Sequence, residues 1–267
     1  DYTGTTLAAG SHTFTAVATD AAGNTTSTAD YVVTVDTGTP GTPVITGISD
    51  DTGVVGDKIT SDQTLTVSGT AEAGSSVRVS LGGSAVGSAV TADSNGNWSY
   101  AHSDTLANGS SNSFTAVSTD AAGNASSASS AYVVTVDTAA PTIAIDAIAG
   151  DNKLNSSEAA GPLVVSGTTT AEDGQTVTLG VNGKTFTALA NGGEWSVGLS
   201  SAEVGTLTGT EAFTADVSDK AGNGATQATG SLVVDKSAPA VTIGSITDDG
   251  GTNNTRITKD QTIAISG

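Results

Sequence analysis

The chain has 267 residues and a formal net charge of −19, because 27 Asp and Glu residues outnumber 8 Lys and Arg residues. A surface this acidic repels nucleic-acid phosphates and anionic lipid headgroups, which argues against nucleic-acid binding. The chain contains no cysteine, and this excludes a disulfide scaffold and thiol chemistry. No apolar run approaches the roughly 18 residues that a spanning helix needs, so we predict no membrane insertion.

A turn motif recurs along the chain at intervals of about one hundred residues, which is the length of one domain. Asp20-Ala-Ala-Gly-Asn returns at residues 120–124 and, as Asp-Lys-Ala-Gly-Asn, at residues 219–223. A β-branched run also ends three times in an aspartate that is followed by a short proline-containing link. These landmarks predict four segments: residues 1–36 as the C-terminal part of a repeat, residues 37–137 and 138–235 as complete repeats, and residues 236–267 as the N-terminal part of a further repeat.

The elements predicted within one repeat are all strands. They are short, rich in β-branched and aromatic residues, and separated by Gly, Asn, Ser and Asp turns. Seven strands with turn signals between them predict an all-β, two-sheet sandwich, and the sequence predicts no helix. The predicted strands of the first complete repeat lie near residues 42–48, 64–68, 76–81, 85–92, 97–102, 113–119 and 131–137.

The inward-facing residues of these strands recur between repeats. Leu65 and Val67 correspond to Leu163 and Val165, and further along to Ile263 and Ile265, while Phe14, Phe114 and Phe213 share one strand position. A disordered stalk rich in Ser, Thr and Gly is the alternative, but it would not keep aliphatic residues in register from copy to copy. The recurring positions therefore predict a packed core in each repeat.

Acidic residues cluster near the predicted ends of the repeats. In a seven-strand sandwich, the loop after the first strand and the end of the last strand lie at one pole, and the turn before the last strand lies at the other. Stacking of repeats into a linear rod would gather Asp50, Asp51, Asp137 and Asp219. Two like charges about 4 Å apart cost about 4 kcal/mol at an effective dielectric near 20, so this cluster needs a cation or must spread apart.

Calcium is the cation that we predict, because every candidate ligand is an oxygen and neither His nor Cys is nearby. The equivalent candidates at the other junctions and in the partial repeats are Asp36, Asp120, Asp151, Glu158, Asp235, Asp20, Asp248 and Asp249. The second complete repeat has Gly150 where the first has Asp50, so its site would differ. Neither an EF-hand loop nor a glycine-rich nonapeptide calcium repeat is present.

Two simpler interpretations stay open for these residues. Asp in a tight turn caps backbone amides, so Asp20, Asp120 and Asp219 could serve only to shape their turns. The pair Asp50-Asp51 could be a solvated acidic loop without a ligand.

Catalysis has little support in the sequence, and we predict that the chain is not an enzyme. The two histidines, His12 and His102, occupy non-equivalent positions with no nucleophile pattern nearby, and we expect both on the surface. A glycan site would need exposed aromatic faces. Trp98 and Trp195 lie in equivalent Trp-Ser strands, which favours a repeated core residue over a sugar-binding platform.

Several motifs in fixed order are similar to those of a known family. The Asp-x-Ala-Gly-Asn turns, the Val-Asp-Thr-x-x-Pro junction at 136–141, the two Trp-Ser strands and the acidic loop 150–158 resemble bacterial immunoglobulin-like repeats of giant non-fimbrial adhesins exported by type I secretion. The resemblance implies an immunoglobulin-like sandwich, an extracellular location at the bacterial surface, a role in virulence and calcium ions at the junctions between repeats.

The function predicted from the sequence is mechanical. We expect a monomeric, calcium-stiffened spacer whose main partners are the adjacent repeats of the same chain, and which holds an adhesive tip away from the cell for attachment to host cells. The alternative is direct contact of this segment with a host-cell receptor or glycan. Buried tryptophans would favour the spacer, and an exposed tryptophan would favour direct contact.

Overall fold

A computed structural model of the chain describes residues 6–243, 245–247 and 264–266, the last two ranges only as strands. The chain divides by internal contact into two compact units. The first unit comprises residues 1–142 with two loops, 170–175 and 217–226, and the second comprises residues 143–169, 176–216 and 227–267. This division groups residues by contact, so the predicted repeat boundaries stay predictions.

The first unit is built from short strands, and most of those after residue 43 alternate between buried and more exposed side chains. Their bounds are β1 (Gly10–Phe14), β2 (Val17–Thr19), β3 (Thr25–Ser27), β4 (Tyr31–Val35), β5 (Val44–Ile48), β6 (Ile59–Thr60), β7 (Thr66–Thr70), β8 (Ser76–Leu81), β9 (Ser84–Ala85), β10 (Val90–Thr91), β11 (Asn97–Ala101), β12 (Ser111–Thr119) and β13 (Tyr132–Val136).

Two sheets of the first unit form a sandwich. One sheet has the strand order β10-β8-β12-β13-β6, with β9 paired to β8, and the other has the order β11-β7-β5. All the pairings are antiparallel except that of β6 with β13, which is parallel. The amides of Thr135 and Asp137 donate to the carbonyls of Lys58 and Thr60, at 2.9 and 2.8 Å. Upstream, β1 pairs with β4 and β2 pairs with β3.

The core of the first unit lies between these two sheets. It is made of alternate residues of the strands and includes Leu65, Val67, Trp98, Phe114 and Val134. A polar side chain is also buried there, because His102 is only 7% exposed and its ring lies edge-on to Phe114, with the ring centroids 6.1 Å apart. The prediction that His102 lies on the surface is therefore wrong, since it follows an alternating strand whose inward positions it continues.

The second unit repeats the same arrangement. A five-stranded sheet has the order β14-β20-β19-β16-β17, its β14–β20 pairing is parallel, and a second sheet pairs β15 with β18. Residues before β15 run beside it without a named strand, through bonds from the amides of Ala144 and Asp146 to Thr168 and Ser166. The strands are β14 (Lys153–Asn155), β15 (Leu163–Thr168), β16 (Thr176–Val181), β17 (Lys184–Leu189), β18 (Glu194–Leu199), β19 (Gly209–Asp216), β20 (Ala228–Asp235), β21 (Ser245–Thr247) and β22 (Ala264–Ser266).

One helix, α1 (Ser201–Gly205), follows β18 in the second unit. Ser200 caps it: its hydroxyl accepts a bond from the amide of Glu203, and the Glu203 carboxylate accepts the Ser200 amide in return. The Ser200 hydroxyl and amide both donate to the Glu203 carboxylate and lower its pKa, the hydroxyl bond contributing most. The prediction of no helix is wrong here, because a single capped turn is too short to show a 3.6-residue period. Two 3-10 turns, Ile148–Gly150 and Glu158–Ala160, lie earlier in the unit.

The all-β immunoglobulin-like prediction is confirmed by this architecture. The strand predicted at 76–81 matches β8, and the others agree to within a few residues except the one predicted at 85–92, which is split into β9 and β10. The two-residue strand β6 was not predicted. The predicted core positions Leu65, Val67, Leu163, Val165, Phe114 and Phe213 are buried. Phe14 is only half-buried, and Ile263 and the side chain of Ile265 lie outside the described residues.

Candidate functional site

The loop after β5 carries two carboxylates that each have one oxygen without a partner. The Asp51 Oδ2 atom accepts the amide of Gly56 at 2.7 Å, and the Asp57 Oδ1 atom accepts the amide of Ile59 at 2.8 Å. The other oxygens, Asp51 Oδ1 and Asp57 Oδ2, are buried and make no hydrogen bond. A buried ionised oxygen without a partner is costly, so this loop has a requirement that a bound cation would meet.

The same loop contains one nearby positive charge. The Lys58 Nζ atom lies 4.4 Å from the ring centroid of Tyr132, in a cation–π contact. Burial raises the pKa of the Tyr132 hydroxyl, and the negative charge of Asp51 adds to the shift. The Tyr132 hydroxyl therefore lies within electrostatic range of the Asp51 carboxylate.

Asp50, the neighbour of Asp51, has a different environment. It is exposed, its φ is 51°, and its carbonyl accepts the Thr60 hydroxyl at 2.6 Å. Among the described residues, no three His, Cys, Asp or Glu side chains group closely enough to hold a metal ion. The four carboxylates predicted to converge, those of Asp50, Asp51, Asp137 and Asp219, therefore do not form such a group, and calcium binding stays a prediction.

The aspartates of the recurring turns close those turns with their own side chains. Asp120 Oδ1 accepts the amides of Ala122 and Asn124, and Asp219 Oδ1 accepts the amide of Asn223. Asp20 makes the same contacts as Asp120 within its turn. The pKa values of Asp20 and Asp120 are lowered, chiefly by the bond from the side-chain amide of the asparagine that ends each turn. Turn shaping, one of the alternatives above, accounts for these contacts.

The aspartates at the ends of β4, β13 and β20 form a second set with one shared contact. Asp36, Asp137 and Asp235 each accept, through Oδ1, the amide two residues further on, at 2.9 Å in each case. This local bond fixes the direction in which the chain leaves the strand. The main-chain carbonyls of Asp36 and Asp137 are also used, because each accepts a side-chain amide of a later turn.

The turn 219–223, which groups with the first unit, contacts the loop after β5 directly. The Val54 amide donates to the Lys220 carbonyl at 3.0 Å, and the Thr52 hydroxyl donates to the Ala221 carbonyl. Gly53 lies at this contact with φ of 70°, and a Cβ added to it would stand 2.1 Å from the Lys220 carbonyl oxygen. Only glycine allows the two backbones to approach this closely.

The remaining predicted ligands have local roles. In the second unit, Asp151 Oδ1 accepts the Lys153 amide and Glu158 Oε2 accepts the Asn155 amide, both at 3.0 Å, and both acidic residues are exposed. Asp248 and Asp249 lie outside the described residues. Asp57 was not predicted, because the corresponding position of the third copy is Thr255 and the comparison of repeats therefore hides it.

The tryptophans are core residues, as predicted. Trp98 and Trp195 are each 3% exposed, and the Trp195 indole donates to the Ala144 carbonyl at 3.2 Å. Neither presents a face on which a sugar could stack. No helix in the described part of the chain combines the length and the apolar character needed to cross a membrane.

Comparisons with known proteins give one family. A family model described as "Bacterial Ig-like domain" matches residues 40–138. Among solved structures, the chain is similar to a Ca²⁺-stabilized adhesin that helps an Antarctic bacterium bind ice, with 31% identity over 85% of this chain and a TM-score of 0.42. The chain spans 57% of the length of that structure. Comparison with curated protein sequences gives no match.

Two further structures come from ice-binding adhesins. One concerns the surface retention of a 1.5-MDa bacterial ice-binding adhesin, with 30% identity over 84% of this chain and 74% of that chain and a TM-score of 0.39. The other is a bacterial immunoglobulin-like domain of the M. primoryensis ice-binding adhesin. It is 40% identical over 35% of this chain and 96% of that chain, with a TM-score of 0.29.

Proposed function

Because this chain belongs to the bacterial immunoglobulin-like domain family, we propose that it is a spacer segment of a bacterial surface adhesin, stiffened at its junctions by calcium. The observation that carries the proposal is the pair of buried, unpartnered oxygens, Asp51 Oδ1 and Asp57 Oδ2, in one loop. That loop makes direct contact with the turn 219–223 through Val54 and Thr52. An ion held at the loop would therefore act at the place where two repeats meet.

The donor chemistry fits calcium. Carboxylate oxygens are hard ligands, and Ca²⁺ completes its shell with carbonyls and water, so two aspartates would supply the charged part of that shell. Bound calcium would supply the positive charge that the two unpartnered oxygens lack. Asp51 and Asp57 would hold it, and the bonds of their other oxygens to the Gly56 and Ile59 amides orient both carboxylates.

The likeness to adhesins supports a wider role in the same proposal. The similar adhesin is named as Ca²⁺-stabilized, which agrees with calcium at the junctions of this chain. Extracellular display, type I secretion, attachment to host cells and a relation to the giant non-fimbrial adhesin of Salmonella belong to the same proposal, as does a monomeric chain. The proposal includes no catalytic activity, and buried Trp98 and Trp195 give no support to a glycan platform in the spacer.

Urea unfolding of the whole chain in calcium and in EGTA tests the proposal. At a calcium concentration a hundred times its dissociation constant, the free energy of unfolding rises by about 2.7 kcal/mol. The double variant Asp51→Asn, Asp57→Asn should lose this gain. In EGTA it should be at least as stable as the wild type, because its two buried oxygens no longer carry charge.

The control is the double variant Asp30→Asn, Asp104→Asn, which changes net charge equally at two exposed positions. It should keep the full response to calcium. Equal stabilisation of the Asp51, Asp57 variant and the wild type by calcium would assign the ion elsewhere, and a wild type indifferent to calcium would refute the stiffening role.

A further inference from the structure

One side-chain contact occurs twice, at equivalent places in the chain. The Asn124 Nδ2 atom donates to the main-chain carbonyl of Asp36 at 3.2 Å, and the Asn223 Nδ2 atom donates to that of Asp137 at 2.9 Å. Each asparagine ends an Asp-x-Ala-Gly-Asn turn, and each acceptor directly follows a last strand, β4 or β13. We call this pair of contacts the asparagine clasp.

The turn prepares its asparagine for this contact. Asp120 Oδ2 accepts Asn124 Nδ2 at 2.8 Å, and Asp219 Oδ2 accepts Asn223 Nδ2 at 2.9 Å. A side-chain amide has two N–H donors, so one is held by the aspartate and the other is left for the carbonyl. Both partners are pure acceptors, and this fixes which end of the amide faces them.

A similar turn elsewhere in the chain makes its asparagine hydrogen bonds only within the turn. The hairpin turn between β10 and β11 has Asp93 and Asn97 in the corresponding places, with the Asn97 amide donating to Asp93 Oδ1 at 2.8 Å and Asn97 Nδ2 to Asp93 Oδ2 at 3.4 Å. The hydrogen bonds of that side chain stay within the turn. The clasp is therefore not an automatic result of the turn geometry.

The clasp is supported by contacts that also need no metal. The turn 219–223 bonds to the loop after β5 through the Val54 amide and the Thr52 hydroxyl. On its other side, Asn223 contacts Asp137 after β13. One short turn of the predicted repeat 138–235 is thus fixed at two points, the loop after β5 and the end of β13, to the preceding repeat 37–137.

We infer that Asn124 and Asn223 are positioning residues that hold successive repeats together before any ion binds. Their partner is the backbone of the preceding repeat, so recognition depends on the placement of a carbonyl and not on a particular side chain. The inference rests on the proposed function in one respect, because both assume that successive repeats meet at this junction. Calcium would then tighten an orientation that the amide has already selected.

Distance measurement between two spin labels in EGTA tests the clasp. The chain has no native cysteine, so Ser99→Cys on β11 and Ser196→Cys on β18 give two unique labels at exposed, equivalent positions. Loss of one hydrogen bond of ordinary net strength raises the population of the undocked junction about fivefold. We expect Asn223→Ala to broaden the distance distribution accordingly.

Asn124→Ala is the matched control, because it removes the same bonds from the same turn at a junction that the two labels do not span. It should leave the distribution unchanged. A wild-type measurement guards against a variant that fails to fold: in EGTA, the Asn223 side-chain amide should exchange with solvent more slowly than that of Asn97. The clasp is overturned if Asn223→Ala matches the wild type in EGTA, or if the two amides exchange at the same rate.

The two proposals fail in different ways. If calcium leaves the wild-type distribution unchanged while Asn223→Ala broadens it in EGTA, stiffening by calcium is wrong and the clasp stands. If calcium narrows the distribution while Asn223→Ala has no effect without it, the clasp is wrong and the calcium proposal stands.

Discussion

His102 in the first unit stands where Leu199 stands in the second, four residues after the buried tryptophan of β11 or β18. Both side chains are buried, His102 at 7% exposure and Leu199 at 1%. The imidazole Nδ1 atom is buried without a hydrogen-bond partner. One repeat therefore places a polar ring in a position that the other fills with an apolar side chain of similar reach.

We predict that His102→Leu stabilises the chain. A buried polar atom without a partner costs about 1–3 kcal/mol, so the substitution should raise the free energy of unfolding by about 1 kcal/mol in urea at pH 7. His12→Leu is the control, since the half-buried His12 ring bonds to the Ala8 carbonyl at 2.8 Å, and it should bring no gain. A destabilised His102→Leu chain would mean that the ring has a partner in solution.

We predict that Gly53→Ala detaches the loop after β5 from the turn 219–223. Gly53 and Gly56 both have positive φ, 70° and 95°, so alanine strains the backbone at either site by about 1 kcal/mol. Only at Gly53 would the new Cβ meet the Lys220 carbonyl, since nothing lies within 4 Å at Gly56. Amide exchange of Val54, the donor to Lys220, should speed up in Gly53→Ala and stay at the wild-type rate in Gly56→Ala. Equal rates in the two variants would contradict a tight contact.

We predict that the hairpin turn of Asp93 contributes to acid sensitivity. The pKa of the Asp93 carboxyl is lowered, chiefly by the bond from the Asn97 backbone amide. The Asp93 carboxylate therefore binds a proton less readily in the folded chain than in the unfolded chain. The contribution is present above the unfolded-state pKa of about 4 and is lost as pH falls through the lower folded-state value. Asp93→Asn should flatten the decline in stability between pH 5 and about pH 2, measured by urea unfolding. Asp104→Asn serves as the charge-matched control, and an equal effect there would point to net charge instead of the turn.

The sequence predicts the strands and the core well, because inward residues such as Leu65 and Phe114 return at the same places in each copy. The short helix after β18 escapes prediction, since its one turn depends on the Ser200–Glu203 cap and not on a period. The clasp escapes for another reason. Its acceptor is a main-chain carbonyl, a group that every residue has, so no side chain at position 36 or 137 marks the contact. The side chain of the aspartate at each of these positions instead accepts the amide two residues further along the link.

The parallel pairing of β6 with β13, repeated by β14 with β20, bears on how each sandwich carries tension. In a parallel pair, the N-terminal ends of both strands lie at one pole and the C-terminal ends at the other. The chain therefore enters the first strand of the pair at one pole and leaves the second strand at the opposite pole. A pull on the two termini of a repeat therefore slides the strands past each other and loads all the bonds between them together, from the Thr135 and Asp137 amides in one unit and the Val233 amide in the other. A force across the strands would peel them apart and break the hydrogen bonds one at a time at low force. A force along the strands requires all of the bonds to break at once. A strand of only two residues, β6, or of three, β14, would thereby carry much of the resistance of its domain to tension.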